Sequence, residues 1–64
     1  MRYLARRLHL PSGELLERYE VLVDDGRVLQ WQPFESECQS MLLVDELFVR
    51  EEGGGELVVG GIRL

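Results

Sequence analysis

The chain has no lysine, one cysteine and one histidine, and these scarcities exclude several functions at once. Cys38 alone cannot form an internal disulfide. With His9 the only histidine, a Cys/His zinc centre would need carboxylates or a second chain to complete four ligands. Basic residues are scarce too: seven arginines face twelve acidic residues, a net charge of −5. Nucleic-acid binding runs on phosphate neutralisation by a basic patch, and the one local cluster here is Arg2, Arg6 and Arg7. It reads as a solvated strand face, with Glu14, Glu17 and Glu20 close enough in sequence to pair with it. No nucleic-acid partner is expected.

Long apolar runs are missing as well. No stretch approaches the roughly 18–20 residues of a membrane span. The arginines at the amino end are not followed by the roughly 7–15 apolar residues of a secretory signal. These absences, with the lone thiol, predict a cytoplasmic protein with a reduced cysteine and no membrane contact.

Length sets the next bound. Sixty-four residues make a single small domain, 1–64. A chain of about this size buries only about 60% of its unfolded surface, so stability is marginal unless a disulfide, metal or partner adds to it. Two of those three are disfavoured, leaving a protein partner or homodimer, or a small core that suffices alone.

What the chain does have is strand signals. Residues 1–10 alternate, with Leu4, Leu8 and Leu10 on one face and Tyr3, Ala5, Arg7 and His9 on the other. Pro11-Ser12-Gly13 ends that run. Residues 14–24 fit helical spacing through Leu15, Leu16, Tyr19, Leu22 and Val23, but Tyr19, Val21 and Val23 also alternate, which favours a strand from about residue 17.

The strongest local signal is Asp-Gly between two β-prone runs, Tyr19–Asp24 and Arg27–Trp31. A two-residue Asp25-Gly26 turn pairs Val21 with Gln30 and Glu20 with Trp31. A three-residue loop with Gly26 as a bulge pairs Val21 with Leu29 and Tyr19 with Trp31, putting Tyr19, Val21, Leu29 and Trp31 on one face. Like then meets like, so the three-residue loop is expected. Pro33 cannot donate to a ladder, so this strand ends nearby or lies at an edge.

Residues 35–40 are polar and read as a connection. Met41–Val44 and Leu47–Val49 suit two strands around an Asp45-Glu46 turn. They also suit one helix near residues 36–49, with Cys38, Met41, Leu42 and Phe48 near one face. The β-branched and aromatic content favours strands. Gly53-Gly54-Gly55 marks a turn, and Gly60-Gly61 a bulge or bend in a last strand, Leu57–Leu64. The expected fold is all-β, a small sandwich or partly open barrel of five to six short, mainly antiparallel strands. The alternative is α+β with the 36–49 helix.

Chemistry is thin. The glycine run lacks the Lys and Ser/Thr of a phosphate loop and is surrounded by Glu51, Glu52 and Glu56. The acidic pairs Asp24-Asp25, Asp45-Glu46 and Glu51-Glu52 fall at proposed turns, and strand neighbours point to opposite faces, so they are not expected to converge for acid–base work. His9 and Cys38 would act together only if the fold joined them. No catalytic residue, metal ligand or cofactor is expected. Trp31, with Tyr19 and Phe34, is the candidate interaction surface, since Trp and Tyr are enriched at binding hot spots; as core, Trp31 would instead fill the interior of so small a domain.

Residues 1–34 show a strand, then Leu10-Pro11-Ser12-Gly13-Glu14, then Val21 to Leu29 around Asp24-Asp25-Gly26. This order resembles the amino-terminal β-segment of metal-dependent amidohydrolases. In that family the segment belongs to a small β-sandwich beside a catalytic barrel and leads into a His-x-His metal motif. Here Glu46-Leu47-Phe48-Val49-Arg50 stands in that place, and no histidine follows His9. The resemblance therefore implies a fold and no catalytic residue. Two functions follow as expectations: a non-catalytic module working by protein–protein contact or self-association, or the accessory β-domain of an amidohydrolase-like enzyme whose barrel is a separate chain.

Overall fold

In a computed structural model, residues 1–35 and 40–64 are described. Five strands form one closed barrel: β1 (Arg2–His9), β2 (Leu15–Asp24), β3 (Arg27–Pro33), β4 (Met41–Glu52) and β5 (Glu56–Arg63), in the spatial order β1-β2-β3-β5-β4. The fold is all-β, as the strand signals predict. The 3₁₀ turn Gly53–Gly55 joins β4 to β5, and no α-helix occurs among the described residues. A ring of five strands cannot alternate direction all the way round, so one neighbouring pair must run parallel. That pair is β1 with β4.

The interior is aliphatic. Ala5, Leu8, Val21, Val23, Val28, Val44, Leu47 and Val49 are buried, and Tyr3, Leu10, Leu16, Tyr19, Trp31, Leu57 and Val59 pack against them. Burying each large aliphatic side chain stabilises by roughly 1.5–3 kcal/mol, an upper figure for a chain this small.

Four expectations need correction. The two short runs around Asp45-Glu46 are a single twelve-residue strand, β4. The β-branched and aromatic residues of that run, held between β1 and β5, override its helical spacing over the described part of 36–49; Ser36 to Gln39 lie outside the described residues. Strand β2 starts at Leu15, two residues earlier than expected, because Leu15 and Leu16 pair with His9 and Leu8.

The faces of β1 also differ. Leu8 is buried with Ala5, three positions away, so alternation reverses between them and Arg6 and Arg7 both face solvent. The reversal crosses the neighbouring strands. In β4 the buried positions step from Val44 to Leu47. In β2, Arg18 sits opposite Arg6 with a left-handed φ of 59°. A non-glycine residue there costs about 1–2 kcal/mol, and it breaks the pleat that strict alternation assumes.

The hairpin register is the fourth correction. The loop is the two-residue Asp25-Gly26 turn, with φ of 54° and 79°, closed by Asp24 opposite Arg27 and Val23 opposite Val28. Positive φ at both residues is the type I′ geometry, whose twist matches the strands. A bulge then absorbs one residue, Leu29, so Val21 faces Trp31 and Tyr19 faces Pro33. Like still meets like, but by a bulge in β3 instead of one at Gly26. Leu29 is turned outward and 57% exposed, and so does not share a face with Val21 and Trp31. The expected irregularity at Gly60-Gly61 is present: the β4–β5 register shifts between Phe48 and Val49.

Candidate functional site

The barrel does not close evenly. Strands β3 and β5 meet at one residue pair, Arg27 with Val58, supported by the Val59 N–H donating to the Gly26 carbonyl at 2.9 Å. An Arg27–Glu56 ion pair of 3.4 Å crosses the same seam on the surface. Beyond it the strands part. Continuing the register places Leu29 opposite Glu56 and Trp31 opposite Gly54, where the chain has already turned away.

The gap is a cleft of about 340 Å³ lined by Leu10, Pro11, Ser12, Trp31, Glu51 and Leu57. Each wall has a local cause. The Pro11-Ser12-Gly13 turn is tied down by Gly13 N–H to the Leu10 carbonyl and Leu10 N–H to the Glu14 carbonyl, both 2.9 Å, which holds Leu10 at the mouth. Glu51 and Leu57 are register partners at the β4–β5 end. Trp31 points inward from β3 opposite Val21 and is half-buried, with its exposed part in the cleft. The mouth is thus apolar within and carries a carboxylate on its rim.

The backbone adds to this. Phe34 N–H donates to the Arg18 carbonyl at 2.9 Å, so Arg18–Phe34 is a hydrogen-bonded pair. Pairs alternate along an antiparallel ladder. The amides of Gln32 and Gln30 therefore serve β2, while the N–H and C=O of Trp31 and the C=O of Pro33 point to the other side. Among the described residues, no residue of β5 is registered opposite Trp31 or Pro33.

The three expected interaction residues are not equivalent. Trp31 stands in the cleft. Tyr19 packs against the core beside Pro33, and Phe34 is half-buried just past the end of β3. Leu10 and Leu57 complete the cleft, and residue type alone does not pick them out. Their signal in the sequence is apolar character beside the Pro-Ser-Gly and triple-glycine turns, but nothing local tells that those turns lie at the same end of the barrel.

A second cluster lies on the outer face. His9 Nε2 and Glu46 Oε1 are 2.7 Å apart, and the His9 ring stacks on Phe48 with centroids 4.3 Å apart. Arg7 and Arg63 approach the same carboxylate at 3.6 and 3.9 Å. The His9 hydrogen bond holds the Glu46 carboxyl below its ordinary value of 4.5. Arg7, the His9 charge and Arg63 act in the same direction, and desolvation opposes them. The parallel β1–β4 register brings His9 within reach of Glu46, since Arg7 faces Glu46 and His9 faces Phe48. This is a histidine–carboxylate pair, but no hydroxyl lies within its hydrogen-bond network among the described residues, so it has the orienting half of a nucleophilic site only. Cys38, the nucleophile that the sequence would offer to His9, lies outside the described residues.

The remaining charges are paired structurally. Glu20 is buried and accepts from Arg2 at 3.0 Å and from Gln32 at 3.3 Å. Arg6 and Arg7 turn to Asp45, at 3.7 and 3.5 Å, instead of to Glu14 and Glu17. Of the acidic pairs, Asp24-Asp25 sits at the hairpin turn as expected, whereas Asp45-Glu46 and Glu51-Glu52 lie within β4. No group of three or more His, Cys, Asp or Glu side chains is placed to hold a metal among the described residues, and no helix there is long and apolar enough to cross a membrane. Compared with family models, curated proteins and solved structures, the chain matches none.

Proposed function

We propose that the chain is a non-catalytic binding module that works by protein–protein contact through the Trp31 cleft. The observation that carries this reading is the half-buried Trp31 at the unsealed β3–β5 seam, where a large aromatic lines an apolar opening beside backbone with no strand registered against it. Buried aromatic anchors in such openings dominate contact energies, and truncating one typically costs ~2–4 kcal/mol of binding. The strand order of residues 1–34 admits one special case, in which the partner is an amidohydrolase-like barrel on a separate chain.

The test compares wild type with Trp31→Ala and with Leu43→Ser, an exposed residue of β4 outside the cleft. Each is used to capture partners from a lysate, with mass spectrometry as readout and circular dichroism as the folding control. A partner held by wild type and by Leu43→Ser but released by Trp31→Ala supports the reading. A partner retained by folded Trp31→Ala overturns it.

A further inference from the structure

The geometry points to strand addition as the way this cleft is used. An extended segment of a partner protein, with an apolar residue flanked by Lys or Arg, pairs with the free edge of β3 and seats its apolar side chain against Trp31. The inference rests on the contact reading above and specifies its occupant.

Three independent features converge on this. The first is the backbone. The N–H and C=O of Trp31 face the gap, where no strand is registered against them, and offer one residue's worth of antiparallel ladder. The open edge is short, because β5 closes it at Arg27 and Pro33 ends its supply of N–H groups. A short edge suits a brief extended segment and resists open-ended sheet growth.

The second is the side-chain pocket. A residue placed opposite Trp31 on an added strand shares its inward face, since directly opposed side chains lie on one side of a sheet. It would lie among Trp31, Leu10 and Leu57, which are apolar, so the matching side chain is apolar.

The third is charge. Glu51 lines the cleft, and Glu14 lies on the exposed turn hydrogen-bonded to Leu10. Neither forms an ion pair with a described arginine, whereas Glu20, Glu46, Glu52 and Glu56 do. The rim therefore offers uncompensated negative charge to a basic segment and repels an acidic one.

The experiment uses the full chain and three synthetic peptides, read by Trp31 fluorescence and backbone amide shifts. The first peptide is an extended sequence with a central Val flanked by Lys. The second replaces Lys by Glu. The third keeps Lys but carries N-methyl groups on the residues that would meet Trp31. Expected are saturable binding of the first with shifts centred on Leu29 to Gln32, and weakening of about tenfold or more for each of the others, the scale of one lost backbone or charge-assisted hydrogen bond. Equal binding of the N-methylated peptide overturns strand addition, and equal binding of the Glu peptide overturns the basic occupant. If the same amides broaden with protein concentration alone, the occupant is a second copy and the proposal fails. Failure of all three peptides while Trp31→Ala still releases a natural partner sinks strand addition and leaves the contact reading standing.

Discussion

The two seams that close this barrel are built in opposite ways. Strands β1 and β4 run parallel, the slightly less stable geometry per residue, yet they pair at seven positions from Arg2–Met41 to His9–Phe48. Strands β3 and β5 run antiparallel, the better geometry, yet pair at one position. Burial explains the inversion. Ala5, Leu8, Val44 and Leu47 sit under the parallel seam and are sealed from solvent. Under the antiparallel seam sit Trp31 and Leu57, both partly exposed, with Glu51 beside them. Core packing, and not ladder chemistry, decides which seam closes.

Core deletions should break this contrast most visibly. Leu47 is fully buried, and Leu47→Ala removes contacts and leaves a cavity, a loss of about 2–5 kcal/mol. In so small a domain that is a large part of all stability, so the variant should be mostly unfolded by circular dichroism or shifted far down in urea midpoint. Leu57→Ala at the open seam should cost only about 1 kcal/mol, because its side chain is already partly in water. Equal losses at the two sites would show that the β3–β5 opening is filled in solution.

The hairpin feeding the open seam gives the next effect. Gly26 has φ of 79° and open space where a methyl group would project, so Gly26→Ala meets no steric neighbour and suffers only the left-handed backbone cost, about 1–2 kcal/mol. Arg18→Gly should do the reverse and relieve up to about 1 kcal/mol, since its φ of 59° is already glycine-like. Urea midpoints of the two variants should move in opposite directions.

Legibility in the sequence depends on whether the information is local. The place of the hairpin turn at Gly26, the glycine turn at Gly53–Gly55 and the irregularity at Gly60-Gly61 are set by local residues, and the sequence shows them, though not the length of the hairpin loop. The faces of β1 are not legible, because the reversal at Arg6 is imposed by Arg18 on β2 and shared with Val44–Leu47 on β4. The hairpin register fails for a related reason. The rule that like should face like is correct, but it admits two solutions, and a bulge at Leu29 satisfies it as well as one at Gly26. For the site, Trp31 is found by residue type alone. Leu10 and Leu57 need the barrel order, and the His9–Glu46 pair needs the parallel seam, which no short-range pattern announces.

That pair gives the sealed seam an acid sensitivity. The Glu46 carboxyl is held below 4.5 in the folded chain, chiefly by His9. A depressed carboxyl contributes stability that is complete above its unfolded value and is lost as pH falls through the folded one. Urea midpoints measured from neutral pH into the acid range should therefore fall below about pH 4.5, and Glu46→Gln should flatten that limb while lowering the neutral plateau slightly. An unchanged acid limb would mean that the pair is not formed in solution.

The smallest effect belongs to the clamp on the open seam. Arg27 and Glu56 are both about half exposed, so their pair should contribute only about 0.2–1 kcal/mol, screened by salt. Glu56→Gln will hardly move the urea midpoint. It should act locally, because the clamp lies beside the one registered pair, Arg27–Val58, and the hydrogen bond from Val59 to Gly26. Exchange of the Val59 amide should quicken in Glu56→Gln while amides on β1, which is flanked by β2 and β4, keep their wild-type rates. If β1 amides quicken to the same extent, the barrel opens as one unit and the two seams are not independent. If only Val59 responds, the β3–β5 seam has its own opening equilibrium, and a segment adding to β3 competes with the weakest contact in the fold instead of with its core.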